Sequence, residues 1–407
     1  MIHVLYISYD GMTDPLGQSQ VLPYLVGLSK EGYSFHLISF EKDERFLQHR
    51  EHIQAICDAA GITWHPLSYT KKPPLLSTIY DVQRMKHLAH KLHEKHTFKI
   101  VHCRSYIAAL VGLGMKKKFG IKFLFDMRGF WANERVDGKI WNLSNPIFKR
   151  VYDYFKKKEL QFFKEADYTI SLTYNGKNEI ESWKEFGKKK PQVEVIPCCV
   201  DLELFNPENI NETDQTNLRK TLNIESNEFI LGYVGSIGTW YMLSEMLDYF
   251  KQLKATKPSA KFLFVTGENP STIINLSQEK GINLEDIIIT SCRHNEVPLN
   301  ISLFDKSIFF IRPTYSKKAS SPTKQGEIMA MGIPLICNAG VGDTDLVVEQ
   351  YHAGQVLKDL TDAAYLQSLE TDFEFIKSKT MEGAREFYGL KEGVQKYLKV
   401  YKSMLNS

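Results

Sequence analysis

No stretch of this chain is apolar for the ~18 residues that a membrane-spanning helix needs. The longest apolar run, near Ile107 to Met115, is broken by glycine. The opening MIHVLYISYD has no basic stretch ahead of an apolar one, so it reads as a buried strand and not as a signal peptide. Cysteine is scarce: six in 407 residues, with no C-x-x-C pair and no spacing suited to zinc. Cys198 and Cys199 are adjacent and cannot easily close a relaxed disulfide, so reduced, intracellular thiols are expected. Neither G-x-G-x-x-G ahead of a helix nor G-x-x-x-x-G-K-[ST] is present, which disfavours dinucleotide oxidoreduction and P-loop chemistry. Internal repeats and low-complexity tracts are also missing.

What is present is an alternation of strand and helix patterns, in a chain too long for one ordinary core. HVLYISY, FHLISF, ITWHPL, KIVHC, KFLFDM, DYTISL and QVEVI read as strands with helices between them. The pattern breaks at PCCVDLELFNP and the polar NINETDQTN, then restarts with EFILGYVG, AKFLFVTG, DIIIT, SIFFIRP and IPLICN, helices filling the rest. This predicts an α/β protein of two doubly wound domains, residues 1–200 and 201–389, with a last helix over 390–407 that can return to the first. In such sheets ligands bind beyond the carboxyl ends of the strands, so a cleft between the domains is the expected site. The loop RGFWANERVDGKIWNLSN exceeds the roughly 12 residues usual for an ordinary connection and is rich in Trp and Arg, which favours a functional role.

Charge is unevenly placed. Residues 1–200 hold 30 Lys+Arg against 21 Asp+Glu, whereas residues 201–407 hold 21 against 27. The basic excess gathers in Lys116-Lys117-Lys118, Lys149-Arg150, Lys156-Lys157-Lys158 and Lys188-Lys189-Lys190. It reads either as solvated helix faces or as a surface that meets anionic lipid. His87, His90, His93 and His96 recur every third residue among lysines, a poor cation setting and a better solvated face. Asp343-Thr344-Asp345 imitates a metal-binding D-x-D, but its place at a helix start favours capping. No metal is expected at any of these.

SSPTKQGEIMAMGIP (320–334) is the most informative segment. Ser321 suits an N-cap and Pro322 the first helical position. The free N–H groups near Thr323, Lys324 and Gln325 would then form an anion site at the positive end of the helix, with the Lys324 charge added. Glu327, one turn on, is placed to accept hydrogen bonds from ribose hydroxyls. Both side chains are expected to face the cleft and not a core. Read without context, the same segment is an ordinary capped helix with a surface Lys–Glu pair.

The segment resembles the donor-binding helix of GT-B glycosyltransferases, in particular the retaining glycosyltransferase family 4, and the resemblance runs over nearly the whole chain. DGMTDPLGQSQVLPYL resembles that family's loop after the first strand, with Gly17 at the glycine that approaches the donor phosphates. MRGFWANE resembles an Arg-x-x-Trp stretch of bacterial members that build surface polysaccharides, with Arg128 and Trp131 matching. IPCCVDLELF resembles the interdomain linker, although Cys198 stands where a glycine is usual. Two further departures concern the donor. Ala319 stands where a second Glu is common, and Ser236 where an Arg is common, with Trp240 or Tyr241 near the place of a Lys. Arg128, Arg312 and Lys324 are the substitute cations.

The resemblance implies two Rossmann-like domains facing across a cleft. It also implies transfer of a sugar, with retention and without a metal or cofactor, from a nucleotide-diphosphate sugar (UDP-linked by family habit) to a saccharide or lipid-linked acceptor. The donor would use Gly17, Ser236, Gly238, Arg293, Arg312, Ser321, Thr323, Lys324 and Glu327, with its base near Gly267. Arg128, Lys324 and Glu327 would serve the chemistry, and Arg104 and Trp131 the acceptor. The protein would work in the cytoplasm, peripheral to a membrane, on cell-surface glycan, with no nucleic-acid partner. Two rivals stand beside this reading: a sugar-nucleotide epimerase of the same fold using Glu134 and Asp137, and a non-catalytic sugar-nucleotide binder. The charge asymmetry makes its own prediction. At low salt, vesicles rich in anionic lipid should co-sediment the protein, since each basic side chain near such a surface is worth about 1 kcal/mol. Failure to co-sediment would assign the excess to solvation.

Overall fold

Runs such as Val4–Ile7 and Phe123–Phe125 are apolar at every position, and strands of that kind need cover on both faces. A computed structural model of the chain describes residues 2–406 and shows how that cover is supplied. The chain divides into two units, Met1–Pro197 with Leu390–Ser407, and Cys198–Gly389.

The first unit holds β1 (Ile2–Ser8), β2 (Tyr33–Glu41), β3 (Thr63–Ser68), β4 (Ile100–Arg104), β5 (Lys122–Asp126), β6 (Tyr168–Ser171) and β7 (Val193–Val195). They form one parallel sheet in the order β3-β2-β1-β4-β5-β6-β7. The second unit holds β8 (Phe229–Val234), β9 (Ala260–Val265), β10 (Ile287–Thr290), β11 (Lys306–Phe309), β12 (Leu335–Asn338) and β13 (Gly354–Leu357). They form a second parallel sheet, ordered β10-β9-β8-β11-β12-β13. Strand order reverses between β1 and β4 in one unit and between β8 and β11 in the other. These are the switch points at which open α/β sheets bind ligands.

β13 was not among the expected strands. It has only four residues, and it enters through Gly354 at φ +154°, where a Cβ would lie 1.8 Å from the Leu335 carbonyl oxygen. A short edge strand of this kind leaves little periodic signal.

The last helix, Leu390–Asn406, belongs to the first unit. It lies against the helix Leu22–Ser29, where Gly27 permits the approach: a Cβ there would stand 2.6 Å from a Val394 methyl. Tyr397 meets Tyr24 edge-on at 5.4 Å, and Tyr401 meets Tyr33 at 5.1 Å. Each phenol also reaches a buried polar group under the sheet. Tyr397 Oη donates to Asp126 Oδ2 at 3.1 Å, and Tyr401 Oη hydrogen-bonds His102 Nδ1 at 2.8 Å. Among the described residues no helix is long and apolar enough to cross a membrane, and none of the six cysteines is in a disulfide, five of them being buried.

Replacing Tyr397 with Phe should leave the buried Asp126 carboxylate one donor short, at a cost of about 1–3 kcal/mol. For a unit of this size roughly 2–4 °C of melting temperature follows each kcal/mol. Calorimetry checks it, and an unchanged melting temperature would show that the carboxylate is satisfied without the phenol.

Candidate functional site

At the switch point of the second unit, the segment after β8 turns through Gly235 at φ +107°. A side chain there would be strained, and its Cβ would stand 3.2 Å from Lys324 Nζ. Lys324 sits in the first turn of the helix Thr323–Ala330 and is only 7% exposed. Its ammonium donates to Tyr233 Oη at 2.8 Å and lies 3.7 Å from the Tyr241 ring centroid and 4.0 Å from that of Tyr233. The Tyr233 hydroxyl donates in turn to the Ser236 carbonyl. Burial holds Lys324 well below the ordinary lysine value, and Glu327 nearby only partly opposes that. The expectation that Lys324 faces the cleft and not a core is therefore corrected in one respect: the side chain is buried, its Nζ set against two aromatic faces and a phenol.

The helix start also differs from the sequence reading. The N-cap position is Pro322, without a side-chain cap, and the helix begins at Thr323. Ser321 Oγ instead accepts from the Cys198 N–H at 3.1 Å. Gln325 N–H bonds back to the Pro322 carbonyl, while those of Thr323 and Lys324 belong to the first turn, where no helical carbonyl precedes them. Gly326 lets the helix seat on Lys377–Tyr388, since a Cβ would lie 2.9 Å from that of Tyr388. Glu327 is half-buried and lies 3.7 Å from His294 Nε2. The Glu327 carboxylate beside it raises the His294 pKa above its usual 6.5.

Other expected donor residues line the same end of the unit. Ser236 Oγ donates to Glu268 Oε1 at 2.9 Å and accepts from the Gly238 N–H at 3.2 Å. Arg312 is exposed, and its backbone N–H donates to the Trp240 carbonyl at 2.9 Å, tying the segment after β11 to the one after β8. Arg293 is exposed too, with its N–H bonded to Glu296 at 2.8 Å. Sequence reasoning missed Lys317, which is buried with its ammonium 3.7 Å from the Trp240 ring centroid, and it missed His294. Neither has a spacing that singles it out.

In the first unit, Gly17 lies inside the short helix Pro15–Gln20, and a Cβ there would come within 2.2 Å of the Gly11 carbonyl oxygen. The chain's own backbone thus already demands that glycine. Glu41, also missed, organises the segment after β1. Its carboxylate accepts from the Met12 and Thr13 N–H groups at 2.8 and 3.1 Å and from the Thr13 and Ser39 hydroxyls at 2.5 Å each. Arg104 ends β4, and Arg128 follows β5 in a left-handed conformation, φ +58°. Asp126 lies between them in sequence and space, its Oδ1 3.8 Å from Arg128 Nη1. Burial alone would push the Asp126 pKa up, but Arg128, then His102 and Arg104, hold it below its ordinary value. Trp131 is half-buried in an aromatic cluster with Phe155, Trp141 and Tyr106, at ring separations of 4.7, 5.2 and 5.8 Å. Glu134 and Asp137 share the helix Trp131–Asp137.

The histidine series is not one solvated face. His87 is exposed, but His93 packs on Phe119 at 4.4 Å and His96 on His36 at 4.0 Å. A spacing of three drifts around a 100° helix, so successive members meet different neighbours. Asp343 occupies the N-cap position of Thr344–Gln350 without a side-chain cap bond, and Asp345 accepts from the Gly340 N–H at 3.3 Å. Among the described residues no group of three or more His, Cys, Asp or Glu is placed to hold a metal ion.

Residues 20–204 match the family described as Glycosyltransferase Family 4, and residues 214–371 match glycosyl transferases group 1. The structure is similar to sucrose-phosphate synthase from Thermosynechococcus elongatus, with a TM-score of 0.74 at 15% identity over 100% of both chains. Anabaena HepE, solved in complex with UDP and glucose, gives 0.70 at 13% identity over 99% of this chain and 100% of that one. The UDP-GlcNAc 2-epimerase of Neisseria meningitidis, bound to UDP-GlcNAc, gives 0.59 at 12% identity, over 99% of this chain and 100% of that one. No curated protein matches the chain.

The His294–Glu327 pair has a pH signature. Because the folded pKa of His294 is raised, the pairing is complete below its ordinary value of 6.5 and is lost as pH rises through the raised value. Glu327→Gln should bring the His294 titration, followed by NMR, back towards that ordinary value. An unmoved titration would mean the two side chains are not coupled.

Proposed function

Because the chain belongs to the GT-B glycosyltransferases of the family 4 type, we propose that it transfers a sugar, with retention, from a UDP-sugar to a saccharide or lipid-linked acceptor. The observation that carries the reading is the buried Lys324 ammonium beside Gly235, in the first turn of the helix that also bears Glu327. In this reading the diphosphate lies against the Thr323 and Lys324 N–H groups and the Lys324 charge, and the ribose hydroxyls bond to Glu327. Departure of the nucleoside diphosphate builds negative charge on oxygen, and a fixed cation in a low-dielectric setting stabilises that charge as it forms. The same cation is costly to bury without a partner, which gives donor binding part of its driving force.

Arg128, Arg104 and Trp131 serve the acceptor side, and neither metal nor cofactor takes part. Work on cell-surface glycan at the cytoplasmic face of a membrane is supported by the basic excess of residues 1–200. The UDP and UDP-sugar in the similar structures support the choice of donor. The epimerases among the similar structures keep the epimerase rival in view. Incubating a labelled UDP-sugar without acceptor separates the two, since only an epimerase converts the sugar under those conditions.

Two substitutions test the site, assayed with a chelator present. Glu327→Ala should weaken UDP-sugar binding and leave kcat nearly unchanged, because the ribose is held alike in ground and transition states. Lys324→Met should lower kcat by about 10²–10³ and UDP affinity by about 10–100-fold. Its melting temperature should be equal to or above that of the native chain, since a desolvated charge is replaced by an apolar stem. Near-native kinetics in both variants would place the donor elsewhere. Activity lost to chelator and restored by Mg²⁺ would overturn the metal-free part.

A further inference from the structure

The donor reading sets the Glu327 carboxylate against the ribose, and one further side chain is placed to hold that carboxylate. Among the described residues, the charged group within ion-pair distance of Glu327 is His294, its Nε2 3.7 Å from Oε1. Lys324, one turn earlier on the same helix, is turned instead to Tyr233 and Tyr241. The Glu327 side chain is 12% exposed, so a partner matters to it, whereas that of His294 is 57% exposed and exchanges protons with solvent.

The other groups around the imidazole are engaged elsewhere. His294 begins the short turn His294–Glu296 that follows β10, and in that turn Glu296 Oε2 accepts from the Arg293 N–H at 2.8 Å. The segment 201–205 covers the ring from another side. Phe205 meets it edge-on at 5.7 Å. Asp201 also favours the charged ring, but less than Glu327 does, and its own Oδ1 accepts from the Glu203 N–H at 2.9 Å. Burial works against the charge, and the Glu327 carboxylate outweighs it.

We propose that His294 is a positioning residue of the donor site: its imidazolium sets the Glu327 carboxylate for the ribose diol and so ties donor affinity to pH. A carboxylate has about four lone-pair sites, so an imidazolium beside Oε1 leaves room for two hydroxyl donors. Holding the acceptor in one orientation before the ligand arrives is what makes such a contact effective. The imidazolium also offsets the Glu327 charge, which otherwise opposes a diphosphate bound near Lys324. The proposal rests on the reading of Glu327 as the ribose acceptor.

The sign follows from linkage. The folded pKa of His294 is raised, so the ring is charged below it and neutral above it. Donor affinity is therefore greatest at the acid side and falls as pH rises through the raised value, and binding within that window takes up protons.

The test titrates the full chain with UDP-glucose by calorimetry between about pH 6 and 8, a range over which the diphosphate diester keeps its charge. Repeating it in buffers of different ionisation enthalpy counts the protons taken up. The dissociation constant should rise about three- to tenfold over the range, with net proton uptake near its middle. His294→Gln should bind at every pH about as weakly as the native chain does at the alkaline end, with no proton uptake and an unchanged melting temperature. Glu327→Gln should bind more weakly still and also lose the pH dependence. Binding by the native chain that is level with pH, or a native pH profile that persists in His294→Gln, overturns the role of His294 and leaves the donor reading standing. Absence of UDP-glucose binding at any pH overturns both.

Discussion

A cation moved from water into a protein loses its hydration, and only a fixed set of partners can keep it charged there. Each unit of this chain accepts that cost at its own switch point, with Lys324 in one and Arg104 in the other. The surroundings are arranged to bear it. Tyr233, Tyr241 and a glycine turn enclose the lysine, and Asp126, His102 and Tyr397 support the region around the arginine. The parallel sheets bring this about, because strand after strand delivers its carboxyl end, with its loop, to one edge of the unit. Remove the two sheets' order and neither cation has a reason to be where it is.

Much of this could be read from residues alone, for a physical reason. Largely apolar strands of three to nine residues alternating with helices have few solutions besides covered parallel sheets, so the two-sheet architecture was legible. The family was legible through SSPTKQGEIMAMGIP, where helix start, cation and carboxylate stand at fixed spacing. What escaped depends on pairings between distant residues. The Lys324 cage joins residues 91 positions apart, and the Tyr397–Asp126 bond spans 271. Periodicity carries no trace of such pairs. Glu41 was passed over for the same cause: a carboxylate ending an apolar strand gives no hint that four donors from two segments converge on it. The capping of 320–323 was misjudged because the Ser321 hydroxyl is drawn to the Cys198 backbone, a partner 123 residues away.

The departures from the family pattern can be weighed against this geometry. Ser236 replaces a charged residue in the segment after β8, yet a charge is present there, supplied from the helix Thr323–Ala330 and seated on Tyr241. Lys317 on the Trp240 ring adds another beside the same segment. Near the place where a Lys is common stand Trp240 and Tyr241, and lysines from elsewhere, Lys317 and Lys324, rest on their rings. Ala319 is fully buried and has no polar group to offer a ligand.

The helix Leu390–Asn406 makes the first unit discontinuous in sequence, and this bears on how the chain is built during translation. Domains ordinarily fold in the order in which they leave the ribosome. Here residues 198–389 form a continuous unit that is complete while the first is still waiting. Until the last helix emerges, His102 and Asp126 lack their tyrosine partners, and the groove beside Leu22–Ser29 has no Val394 or Tyr397 to fill it. The unit made first is therefore finished last, once the helix Leu390–Asn406 has been made.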